Sequence, residues 1–164
     1  MPRSALGGRG GERSRGFTLI EVVIVMAIVA ILGGLALILN MDNYRGYIFS
    51  GERNTIVNVL QKARSQAINN ICLGSGCTDG KPHGAHFEPG KYIIFQGTAY
   101  DPLSTLNEII KADSSDIQIN PSAADVVFSQ LSGEVSVAPW TITISDSAGH
   151  NNTVSVNSEG RISW

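Results

Sequence analysis

From Val22 to Leu39 the chain runs for 18 residues without a charge. A helix of that length reaches about 27 Å, and Phe17 to Ile20 extend it enough to cross the hydrocarbon core of a bilayer. Past Asn40 the apolar positions continue, but on one side only. Tyr44, Ile48, Ile56, Val59, Leu60, Ala63, Ala67, Ile68 and Ile71 recur at spacings of three, four and seven or eight, while Arg45, Glu52, Arg53, Lys62, Arg64 and Gln66 fill the other faces. That is the period of an amphipathic helix. The pattern predicts one helix from Phe17 to about Asn70, on the order of 80 Å long, its first half suited to lipid and its second to packing on a domain. Gly46 and Gly51 predict a bend near the membrane surface. Gly33-Gly34 marks either a weakened turn or a place of close helix packing, each glycine costing about 1 kcal/mol relative to alanine.

After Ile71 the period changes to short alternating runs between turn residues. These predict strands at 85–87, 92–96, 116–120, 126–129, 134–137, 141–145, 153–156 and 161–164. "EPGK" and "DSAGHNN" read as hairpin connections. Segment 97–115 is the least regular, and "PLSTLNEIIKA" within it suggests a short helical turn. The expected fold class is α+β, a long N-terminal helix packed against an antiparallel β-sheet. Four segments follow: 1–16, a basic leader; 17–40, a transmembrane half-helix; 41–71, an amphipathic half-helix; and 72–164, a β-rich globular domain.

Charge orients this arrangement. Arg3, Arg9, Arg13 and Arg15 precede the apolar run against Glu12 alone, whereas from Met41 onward 8 Lys/Arg face 12 Asp/Glu. The positive-inside rule places the N-terminus in the cytoplasm and the domain across the membrane. An acidic remainder argues against a nucleic-acid partner. Outside the cytoplasm Cys72 and Cys77, with "LGSG" between them, read most simply as a disulfide closing a tight loop. Zinc held with His83 and His86 is the lesser alternative, because two cysteines are too few ligands by themselves.

One residue does not belong in a plain span. Glu21 heads the apolar run, and a central carboxylate in a membrane helix costs roughly 2.5–3.5 kcal/mol. An ordinary secretory signal cut near Leu37, at the small residues Gly34-Leu35-Ala36, does not account for it, nor does a simple anchor. "RGFTLIEVVIVMAIVAILGG" resembles the prepilin leader of type IV pilins and of the pseudopilins of type II secretion systems. The resemblance implies cleavage after Gly16 by a prepilin peptidase, N-methylation of the new N-terminal Phe17, and a role for Glu21 in assembly. The family's frequent mid-span proline is absent here, as no proline lies between Pro2 and Pro82. "ARSQAI", "HGAHFEPGKYIIFQG" and "VSVNSEGRISW" resemble the GspH/FimT group of minor pseudopilins and minor pilins. In that group the last strand closes the sheet around a Gly-Arg pair, here Gly160-Arg161.

These resemblances imply a non-enzymatic structural subunit of a type II secretion pseudopilus or type IV pilus, with protein secretion the favoured role. Implied partners are other pilins or pseudopilins through the long helix, the prepilin peptidase, an inner-membrane assembly platform and the lipid bilayer. The chain would sit in the bacterial inner membrane as a single-pass protein. The rival is a single-span anchored protein whose domain captures a ligand and never assembles. No nucleophile elbow, P-loop or H-E-x-x-H is present, and no cofactor is expected. His83 and His86 are assigned to one loop and His150 to a hairpin, all as exposed residues. Asp113, Asp116, Asp146, Asn151 and Asn152 follow no EF-hand pattern and read as solvated loops rather than a calcium site. Trp140 and Trp164 are core or edge anchors, with contact to a partner subunit the alternative for Trp164. For Glu21 the alternative is a carboxylate resting at the membrane interface beside the positive end of the helix.

Overall fold

The computed structural model describes residues 17–112 and 114–164, with the backbone alone given at 36–42. Helix α1 spans Leu19–Ile68, 50 residues. It starts two residues later and ends two earlier than predicted, and Gly33, Gly34, Gly46 and Gly51 do not interrupt it. Its C-terminus is closed by a Schellman motif: Asn70 takes φ 55°, Asn70 N–H donates to the Ala67 carbonyl and Ile71 N–H to that of Gln66. Asparagine tolerates that left-handed position, which is why the helix stops there.

The chain divides into two compact units at Asn40 and Met41. In the first, every described side chain from Phe17 to Leu35 is exposed, apolar ones on all sides of the helix included. Among the described residues no helix is long and apolar enough to cross a membrane. Described helical side chains of this unit run only from Leu19 to Leu35, fewer than the roughly 20 residues a span requires.

In the second unit eight strands form two antiparallel sheets: β1 His83–Glu88, β2 Lys91–Gln96, β3 Glu108–Lys111, β4 Ile117–Pro121, β5 Asp125–Phe128, β6 Trp140–Asp146, β7 Asn151–Val156 and β8 Ile162–Ser163. One sheet has the order β3-β2-β1-β5 and the other β4-β6-β7-β8, so the single sheet expected is in fact two. Residues Met41–Ile68 of α1 supply Phe49, Ile56, Leu60, Ala63 and Ala67 to one core shared with both sheets. Phe87, Tyr92 and Phe128 come from the first sheet, and Trp140, Ile142, Ile144 and Val154 from the second. Trp140 is the largest fully buried side chain, its indole N–H donating to the Ala123 carbonyl at 2.8 Å.

Four expectations are corrected. The stripe on α1 holds at Ile56, Val59, Leu60, Ala63 and Ala67 but not at its ends, where Tyr44 is 65% exposed and Ile68 is exposed, and Phe49, Glu52 and Val57 are buried beside it. Glu108–Lys111 is a strand and not part of a helical turn, because β2 offers its edge to it from Lys91 to Ile94. Residues 134–137 form no strand beyond one bridge from Val135 to Phe128. His83 and His86 lie in β1 and not in a loop. The reason is Gly84, which reads as a loop residue but is required by contact: a Cβ there would sit 2.3 Å from the Phe95 ring. That close approach is possible because the outer face of the first sheet is also covered. Ile93 and Phe95 are buried there, and Tyr100 from the following loop packs on Phe95 and stacks on His86 at 4.0 Å.

Candidate functional site

The start of α1 is built locally. Thr18 caps the helix, its hydroxyl accepting from Glu21 N–H at 3.3 Å. With Glu21 three residues on, "TLIE" has the spacing of a capping box. The carboxylate thus lies in the first turn, where the orphan N–H groups favour negative charge. It is exposed and makes no ion pair among the described residues. Phe17, a turn away, is 81% exposed. Gly16 and the rest of segment 1–16 lie outside the described residues, as does Asp113.

At the other end of α1 two turns latch onto the helix. Leu131 N–H donates to the Ala67 carbonyl at 3.0 Å, and Gln130 Nε2 to Asn70 Oδ1 at 2.5 Å. Arg64 donates to the Glu159 carbonyl at 3.2 Å, and Val135 N–H to that of Ser158 at 2.9 Å. Gly160, at φ 72°, packs against Gly133 so closely that a Cβ would lie 1.9 Å from the Gly133 oxygen. "ARSQAI" and "NSEGRI" therefore meet in space, at a junction with no room for a side chain. Beside it lies an open groove of about 730 Å³ between α1 and the C-terminal strand, with Arg64, Ile68, Arg161 and Trp164 on its walls. Trp164 is 57% exposed there, whereas Trp140 is core.

Cys72 and Cys77 are joined, with Cα atoms 5.8 Å apart. The loop they close is tied to the end of β2, where Gln96 accepts from Leu73 N–H at 2.6 Å. Both thiols are thereby used, which removes them as zinc ligands. The histidines serve other partners: His83 Nδ1–H donates to the Lys81 carbonyl at 3.0 Å, and His86 Nδ1 meets Asp125 Oδ1 at 2.5 Å. His150 Nδ1 meets Asp146 Oδ2 at 2.6 Å, and its ring packs on Phe49. Burial raises the Asp146 carboxyl, but hydrogen bonds from His150 and Ala148 outweigh it and hold the group below the usual carboxylate range. Among the described residues no three His, Cys, Asp or Glu are placed to hold a metal.

Two polar groups escaped the sequence reading. Glu52 is fully buried on the core face of α1 and accepts from the Tyr92 hydroxyl. Its position was legible, three residues after Phe49 and four before Ile56, but its charge assigned it to the surface. His83 is also fully buried, and its Nε2 has no hydrogen-bond partner among the described residues. Burial lowers its pKa from the ordinary 6.5, partly offset by the bond to Lys81. A lowered folded pKa means the unfolded chain takes up the proton first, so His83 destabilises the fold as pH falls below about 6.5. Thermal melts should show the midpoint falling over this range, and His83→Asn should flatten the fall. An equal fall in the variant would assign it to other groups.

Comparison with known families gives two matches. The "Prokaryotic N-terminal methylation motif" matches residues 12–37, and "Type II transport protein GspH" matches residues 52–160. No curated protein and no solved structure matches the chain. The first match covers the helix start with Thr18 and Glu21. The second runs from Glu52 to Gly160 and so holds the junction of α1 with the two turns.

Proposed function

Because the chain belongs to the GspH family of type II transport proteins, we propose that it is a minor pseudopilin assembled into the filament, or the tip, of a type II secretion pseudopilus. Its role is structural and not enzymatic. Prepilin peptidase cuts after Gly16, Phe17 becomes the methylated N-terminus, and residues 17–40 hold the chain in the inner membrane as a single span. The N-terminus is then cytoplasmic and the domain lies outside. From there an assembly platform passes the subunit into a filament of other pseudopilins.

The observation that carries this reading is the helix from Leu19 to Leu35, apolar and exposed on all sides behind a capped, acidic first turn. Such a surface is stable in water only when covered. Lipid covers it before assembly, and neighbouring helices cover it afterwards. In the filament, Glu21 of one subunit meets the new amine on Phe17 of the next. A buried pair of this kind adds little net stability but penalises every other register, since an unpaired buried carboxylate costs several kcal/mol. An anchored ligand-binding protein has no use for that penalty.

Filaments sheared from cells that carry the secretion machine should contain this chain at low copy, and the sheared fraction should lose it when the prepilin peptidase gene is deleted. A chain confined to the membrane fraction while filaments assemble would contradict the reading.

A further inference from the structure

Two guanidinium groups line one groove, and neither is neutralised. Arg64 on α1 and Arg161 just before β8 both border the cleft of about 730 Å³ beside the junction of Gly133 with Gly160. Neither forms an ion pair among the described residues. From Met41 onward the chain carries 8 Lys/Arg against 12 Asp/Glu, so two unpaired arginines on one cleft run against the character of the domain.

The fold holds Arg64 in place. Its stem threads between the two glycines: a Cβ on Gly133 would lie 3.3 Å from its Cγ, and one on Gly160 2.8 Å from its Nε. Nε is buried there without a hydrogen-bond partner among the described residues, and Nη2 donates to the Glu159 carbonyl at 3.2 Å, which leaves the other Nη hydrogens uncommitted. Arg161 is anchored through its main chain, whose N–H donates to Asn157 Oδ1 at 2.7 Å, and the residue is exposed. The surroundings do not supply the missing anion. Glu159, the acid on the walls, meets Arg64 through its main chain and forms no ion pair among the described residues. The last carbonyls of α1 are already taken, that of Ser65 by Asn69, that of Gln66 by Ile71 and that of Ala67 by Asn70 and Leu131. The remaining walls include an apolar strip, with Ile68 37% and Trp164 57% exposed and Ile162 packed against the core.

We propose that this groove binds an acidic segment of a partner protein, its carboxylates held by Arg64 and Arg161 and its aliphatic side chains laid against Ile68, Ile162 and Trp164. Planar guanidinium groups take carboxylates in paired hydrogen bonds, and a pinned arginine loses less freedom in doing so than a loose one. Tryptophan and arginine are also the side chains on which binding energy concentrates at interfaces. A nucleic acid suits the groove less, because it calls for a run of cations along its phosphates, and Glu159 with an acidic domain behind it repels a polyanion. The groove would act in this way whether or not the chain enters a filament, so it can fail while the pseudopilin reading stands.

The two tryptophans give a direct readout. Trp140 is 1% exposed and Trp164 57%, so acrylamide quenching of the full chain in neutral detergent micelles reports mainly on the groove. The probe is a capped peptide, Leu-Asp-Leu-Asp-Leu, with Leu-Asn-Leu-Asn-Leu as control. Quenching should fall at least twofold at saturation with the acidic peptide and stay unchanged with the control. Arg161→Gln alters an exposed side chain and keeps the main-chain bond to Asn157, and it should raise the apparent Kd at least fivefold. Unchanged quenching with the acidic peptide, equal protection by the asparagine peptide, full affinity in Arg161→Gln, or stronger protection by a single-stranded oligonucleotide than by the acidic peptide would each overturn the proposal.

Discussion

Gly160→Ala is expected to cost the domain about 3–5 kcal/mol, whereas Gly90→Ala should cost only about 1 kcal/mol. The two glycines share a backbone state, with φ 72° and 86°. Any difference therefore arises from surroundings. A Cβ on Gly90, in the turn between β1 and β2, would meet nothing within 4 Å. A Cβ on Gly160 would lie 1.9 Å from the Gly133 oxygen and 2.8 Å from Arg64 Nε. The first of those is main chain and cannot swing aside, so the turn at 157–160 must separate from the one at 129–134. That separation also strains the bonds from Arg64 to Glu159 and from Val135 to Ser158. Denaturant midpoints of the two variants measure the contrast, and equal losses would show that the junction tolerates a side chain.

The other large effect is on assembly. Glu21→Val should reduce incorporation into filaments at least tenfold while leader cleavage and membrane insertion persist. Removing the carboxylate removes the penalty against wrong registers, and it leaves the Phe17 amine of the adjoining subunit without its partner. Valine disturbs the local structure little. The Thr18 hydroxyl accepts from the main-chain N–H of residue 21, which remains. Glu21→Gln separates charge from shape and should fail in the same way. Normal incorporation of both variants would leave the carboxylate as a bystander stabilised by the helix end alone.

How far the sequence could be read depended on whether a pattern had one cause or several. The long helix was legible because an uncharged apolar run leads without a break into a one-sided helical stripe, and its end at Asn70 follows from a residue that accepts the left-handed state. Seven strands stood within a residue or two of their predicted places, because turn residues bound each run. "EIIK" at β3 was missed since it is mostly exposed, alternates poorly and owes its extension to β2. "EVSV" at 134–137 alternates well, yet the Val135 N–H is drawn to Ser158, which takes the segment off β5. The division into two sheets depends on distant pairing that no local run encodes. At the candidate sites, the disulfide followed from compartment and spacing, whereas the burial of Glu52 and His83 was hidden by their polarity. The proposed cleavage after Gly16 rests on resemblance alone, and Gly16 lies outside the described residues.

The most direct test of the proposed role is the intact mass of the chain extracted from membranes of cells that make the prepilin peptidase. The account predicts a protein that begins at Phe17, carries one added methyl group and retains the Cys72–Cys77 disulfide. A protein beginning near Leu37, or one that keeps residues 1–16 while the peptidase is active, would contradict it.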